Sequence, residues 1–136
     1  MVKPIMRDVL FLSQRSEEAT EADKHIIAEL HDTLAAHRDG CVGMAANMIG
    51  YKKRIIIVSL GFMDLVMVNP VITWKSQPYD TEEGCLSVDG IRKTRRYRKI
   101  KVQFLDGSFR KHTQEYEGHI AQIIQHECDH LDGVII

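Results

Sequence analysis

Between Glu17 and Arg38 the apolar residues Ile26, Ile27, Leu30 and Leu34 recur at helical spacing, with Glu, Asp, Lys and His in most other positions. A stripe of that period buries one face and wets the other, so the segment is expected to form one amphipathic helix. Thr20 followed by Asp23 resembles a capping box with Asp in place of Glu, and Gly40 stands where a left-handed residue would end the helix. From Lys53 onward the period shortens. Strands are expected at Arg54–Leu60, Leu65–Val68 and Val71–Lys75, punctuated by Gly61 and by Asn69-Pro70. Arg98–Leu105 alternates, with Ile100, Val102 and Phe104 on one face and Lys99, Lys101 and Gln103 on the other, before Asp106-Gly107 turns the chain. A last helix is expected from Gly118 to Leu131, with Ile120, Ile124, Glu127 and Leu131 near one stripe, widened by Ile123 and Cys128. Helix, strands, helix, without a repeat or linker, is an α+β order.

Length adds that residues 1–136 are expected to be a single domain with one core. The formal net charge of -1 gives no bias toward nucleic acid, so no specific nucleic-acid partner is expected. Apolar runs such as Ile55–Val58 are too short to span a bilayer, and the N-terminus lacks a signal-peptide pattern, so a cytoplasmic protein with no membrane partner is expected. Three cysteines cannot all pair, which argues against a disulfide framework and leaves thiols free as metal ligands.

The chemistry concentrates in Gln125-His126-Glu127-Cys128-Asp129-His130. Residues four apart on a helix share a face, so His126 and His130 can reach one metal ion. Glu127 lies about 100° round the helix from His126, close enough to touch a water at the metal without being a ligand. A bare H-E-x-x-H also arises by chance on helices with solvated histidines, so further pieces matter. A catalytic metal takes a third protein ligand and keeps one open position. Cys85, within Glu82-Glu83-Gly84-Cys85-Leu86-Ser87, is the candidate. Cys128 lies about 200° from His126 and is read as a small buried hydrophobe. Cys41 has no clear role, and His25, His31 and His37 are read as solvated.

Glu83-Gly84-Cys85-Leu86-Ser87 and Gln125-His126-Glu127-Cys128-Asp129-His130-Leu131 resemble the second and third motifs of the peptide deformylases. Gly43-Met44-Ala45-Ala46-Asn47-Met48-Ile49-Gly50 resembles their first, and the likeness covers nearly the whole chain. The resemblance implies an α+β deformylase fold, with antiparallel sheets around the helix that carries H-E-x-x-H. It implies Fe(II) as the physiological metal, with Zn, Ni or Co as substitutes, and hydrolysis of the formyl group from N-formylmethionyl peptides. It assigns ligand roles to Cys85, His126 and His130 and the base and acid role to Glu127. It assigns oxyanion stabilisation to the metal, the Leu86 backbone N–H and the side-chain amide of a first-motif glutamine.

That glutamine position is Met48, whose thioether cannot donate a hydrogen bond. Loss of such a donor costs roughly 10²–10³ in rate, so a slowed enzyme is expected. Asn47, in an extended backbone, would point to the opposite face. Cys41 replaces a family glycine. Ile136 ends the chain soon after His130, where many relatives continue into an element associated with ribosome docking, so at most weak ribosome contact is expected. The basic run Arg92–Lys99 is read as a solvated strand edge that discourages aggregation, with rRNA or a peptide carboxylate as the rival partner. Arg96 matches a family arginine near the substrate channel. Substrate is expected to lie extended between the segments around Met44 and Glu83–Gly84, whose glycines leave approach clear. With Gly43, Arg96 and Ile123 these complete the substrate-binding candidates, and Ile123 and Ile124 compete for the methionine pocket. The alternative is a catalytically inactive deformylase-like protein that binds metal and peptide. A metallopeptidase built on the same H-E-x-x-H fits poorly with cysteine as third ligand.

Overall fold

The computed structural model describes residues 1–136. Five strands follow one another through an antiparallel sheet: β1 (Gly43–Ala45), β2 (Ile55–Ser59), β3 (Asp64–Cys85), β4 (Val88–Leu105) and β5 (Lys111–Glu117). Each pairs with the next in the chain, so the expected antiparallel sheets are one continuous meander. Three helices accompany it: α1 (Val9–Leu12), α2 (Lys24–Ala36) and α3 (Gly118–Leu131). Successive residues of β2 point to opposite faces, yet Ile55, Ile56, Ile57 and Val58 are all buried. Both faces are therefore covered, and α2 and α3 are the helices that pack against this strand. Helix α3 is buried almost all round, through Ala121, Ile123, Ile124, Cys128 and Leu131 as well as the polar residues of the motif. No helix is long and apolar enough to cross a membrane.

Several expectations are corrected. The first long helix begins at Lys24, after a single 3-10 turn at Glu21–Asp23, and residues 17–20 are not helical. Asp23 accepts the Thr20 backbone N–H at 2.8 Å, which is half of the anticipated capping box. The helix stops at Ala36, and Gly40 is not left-handed. Asn69-Pro70 does not separate two strands. Asn69 takes a positive φ of 51° at a bulge inside β3, held by Ala19, whose N–H and carbonyl bond its side chain at 2.8 and 3.0 Å. Beyond it, β3 and β4 run on as a long ribbon to a turn at Leu86-Ser87. Polar residues fill much of both faces there, so no period of two announces those strands. The Arg98–Leu105 alternation matches the structure, with Ile100, Val102 and Phe104 buried and Asp106 closing the turn to β5.

Candidate metal centre

The end of β3 delivers Cys85 to the face of α3 that carries His126 and His130. Cys85 Sγ lies 3.3 Å from His130 Nε2, which lies 3.1 Å from His126 Nε2. All three atoms fall within 4.8 Å of one another. An ion held tetrahedrally by one thiolate and two imidazoles needs donor separations of roughly 3.3–3.6 Å, close to the two contacts made at His130 Nε2.

A polar frame behind these residues sets their orientation. Glu83 Oε1 sits 2.7 Å from His126 Nδ1, which fixes the tautomer and turns the Nε2 lone pair toward Cys85 and His130. Arg96 donates to both Glu83 oxygens and bonds Asp129 on α3 at 2.6 Å, while Gln122 donates to Glu83 Oε2 at 2.9 Å. Burial would push the Glu83 carboxyl up, but hydrogen bonds from His126, Arg96 and Gln122 outweigh it and hold it down to about 2. Gln125 both accepts from Tyr97 N–H and donates to Tyr97 carbonyl, at 2.8 Å each, pinning α3 to β4. Burial depresses the His130 imidazole to about 3. Glu127 is not part of this frame. Its Oε1 is buried without a partner, and burial pushes its carboxyl up to about 7.

Cys85, Glu83, Gln122, His126 and Glu127 line one side of a cleft of about 560 Å³, with Gly43, Met48, Gly84, Leu86 and Ile123 also at its surface, while His130 is fully buried outside that lining. Met44 is buried outside it, and Arg96 is buried behind Glu83, so Arg96 supports the centre and does not face the cleft. Ile124 is fully buried in the core, leaving Ile123 as the cleft residue of that pair. Asn47 lies in a 3-10 turn, not an extended strand, and donates to the His130 carbonyl at 2.8 Å, away from the cleft. Cys41 is at the cleft wall, with its thiol 2.9 Å from the Gly43 carbonyl and pushed up to about 11 by burial. Gln122 was not anticipated, although it stands four residues before His126 on the same helix face. The basic run is interleaved with acids, with Arg95 paired to Asp80 and Lys99 to Glu117.

A structural metal site closes its ion off, whereas a cleft beside the ligands leaves a fourth position open for water or substrate. A cleft beside three candidate ligand atoms, with the Glu127 carboxylate in its lining but outside that group, is an arrangement that metal-dependent hydrolases use. A family model described as polypeptide deformylase matches residues 3–136. The chain is 55% identical over its full length to a peptide deformylase of Clostridium beijerinckii, covering 100% of that protein. It is 35% identical to one from Thermoanaerobacter pseudethanolicus, covering 91% of this chain and 79% of that one. Its fold matches a Met-Ala-Ser-bound class I type b peptide deformylase from Acinetobacter baumannii with a TM-score of 0.89 and 29% identity, over 99% of this chain and 97% of the other. The chain belongs to the polypeptide deformylase family, metallohydrolases that remove the N-formyl group from nascent peptides.

Proposed function

We propose that the cleft takes the N-formylmethionyl end of a peptide in the cytoplasm, that Cys85, His126 and His130 hold Fe(II), replaceable by Zn, Ni or Co, and that turnover is slowed by Met48. The observation that carries this reading is the convergence of three ligand atoms at a cleft that Glu127, whose Oε1 has no hydrogen-bond partner, also lines. The donor set fits such an ion, because Glu83 already holds His126 in the tautomer a ligand needs. When bound, the ion supplies Lewis acidity toward the formyl oxygen and toward water.

The chain's own residues supply the rest. Ser59 N–H bonds the Val42 carbonyl at 2.8 Å, so by antiparallel alternation Met44 faces β2 while Gly43 and Ala45 turn their backbone groups to the free edge of β1. An extended peptide can add to that edge, opposite Glu83–Gly84, with its methionine side chain against Ile123. The Glu127 carboxylate takes a proton from the attacking water and returns it to the departing amine nitrogen. The Leu86 backbone N–H, which makes no hydrogen bond within the protein, is free to meet the developing oxyanion. Met48 offers no second donor. It is buried, and its Sδ instead accepts the Ala45 N–H at 3.4 Å.

Met48 also motivates the second reading, a metal- and peptide-binding protein without turnover. Protein loaded anaerobically with Fe(II) or Ni(II) and assayed on formyl-Met-Ala-Ser separates the two. Formate release that disappears with Glu127→Gln is expected. Tight peptide binding with no formate would establish the second reading.

A further inference from the structure

Two consecutive residues near the N-terminus hold both segments that flank the proposed oxyanion position. Met6 N–H donates to the Met48 carbonyl at 2.7 Å. Arg7 Nη1 donates to the Leu86 carbonyl at 2.8 Å, and Arg7 Nη2 pairs with the Asp89 carboxylate. Asp8 then caps α1, accepting the Leu10 N–H at 3.0 Å, and the chain continues into a short helix that packs on the 3-10 turn Ala46–Ile49, which carries Met48. Leu86 lies in the turn between β3 and β4, and Asp89 stands at the start of β4, next to Cys85 and Val88, the last pair of the ladder. Nothing in that ladder holds the Leu86 carbonyl.

We propose that Met6 and Arg7 form a clasp across the cleft, and that Arg7 is a positioning residue for the Leu86 amide, a role that rests on the deformylase reading above. The physical argument is one of rotation. The Leu86 N–H has no partner of its own, so its direction depends on how the turn is set. Anchoring the Leu86 carbonyl on one side, with the Cys85–Val88 pair on the other, fixes the backbone torsions between them. A guanidinium fork suits this task because two donors in one plane grip a carbonyl and a carboxylate together, which an ammonium cannot do with the same geometry. The Met6 bond fixes the opposite wall, so the same strap sets the separation of Met48 from Leu86. Oxyanion donors work by being held in place before charge develops, and a displacement of about 1 Å at a reacting centre can cost on the order of 10²-fold in rate.

The test compares wild type, Arg7→Leu and Arg7→Lys as metal-loaded full-length proteins with metal content measured. With formyl-Met-Ala-Ser, Arg7→Leu is expected to lower kcat by roughly 10- to 100-fold with KM within about threefold, since the lost interaction acts in the transition state. Added guanidinium should recover part of that loss, and Arg7→Lys should fall between the two. Amide hydrogen exchange supplies a readout independent of activity: residues 85–90 should exchange faster in Arg7→Leu while α2 and α3 keep wild-type protection. An unchanged kcat in folded Arg7→Leu overturns the proposal, as does faster exchange spread over the whole chain. If wild type itself releases no formate, the deformylase reading falls, and unchanged exchange at 85–90 would then remove the clasp as well. If Arg7→Leu does not fold, Arg7→Lys with and without guanidinium decides on the same measurements, and a kcat equal to wild type without guanidinium overturns the proposal.

Discussion

Replacing Met48 by glutamine should raise deformylation about 10²-fold, equivalent to roughly 2.7 kcal/mol of transition-state stabilisation. The structure explains why the new amide would aim correctly. Met48 Sδ already stands 3.4 Å from the Ala45 N–H, on the free edge of β1, and the side chain lines the cleft. In Met48→Gln the amide oxygen can take over that N–H, and its NH₂ is then left facing the cleft, where it meets the developing oxyanion opposite the Leu86 N–H. The two side chains are similar in length, so little repacking is needed. The cost is polarity: Met48 is buried, and an amide left without partners there loses about 1–3 kcal/mol. The assay is kcat and KM on formyl-Met-Ala-Ser for both proteins at verified metal content, with Tm measured alongside. The gain should fall on kcat, because the bond strengthens as charge develops. A gain below threefold with unchanged Tm would refute the reasoning and shift weight to the binding-protein reading.

Glu127→Gln should retain the metal and lower turnover by about 10²–10⁴-fold, as metal analysis and formate release would show, since the carboxylate moves protons and does not ligate. Arg96→Leu should destabilise the fold by about 3–5 kcal/mol in denaturant unfolding, because it strands the buried Glu83 carboxylate. The same variant should weaken metal affinity about 10- to 100-fold in a chelator competition, because His126 loses its orienting frame. Gly43→Ala should lower both Tm and kcat, since the new Cβ would stand 2.6 Å from Ile123 Cγ2 and 3.1 Å from Glu127 Oε2; an unaffected variant would mean that wall is soft. Asp64 is held below its ordinary 3.8 by the Arg38 hydrogen bond, so its contribution to stability is fully present above that value and is lost as pH falls through the depressed one. Unfolding free energies between pH 6 and 3 should therefore fall more steeply in wild type than in Asp64→Asn.

By itself the sequence determined the features that are local. Spacing on one helix put His126 and His130 on a common face with Glu127 beside them, and alternation put Ile100, Val102 and Phe104 in the core, because helical and strand periods are properties of short segments. Cys85 was legible as a candidate third ligand from ligand chemistry and its neighbouring glycine, and folding brings its Sγ to 3.3 Å from His130 Nε2. What only the tertiary structure decided was every relation across the sheet. The polar ribbon of β3 and β4 carries no hydrophobic period, so its strands are fixed by ladder bonds between distant residues, and their length by where the chain folds back. Arg96 sat in a basic run that read as solvent-facing. The approach of Glu83 and Asp129 made it the buried counter-ion of the metal frame, since a charge is tolerated inside only when partners arrive from elsewhere in the fold. Arg7 carried no sequence signal at all. Its meaning comes from the 79 positions that folding closes between it and Leu86.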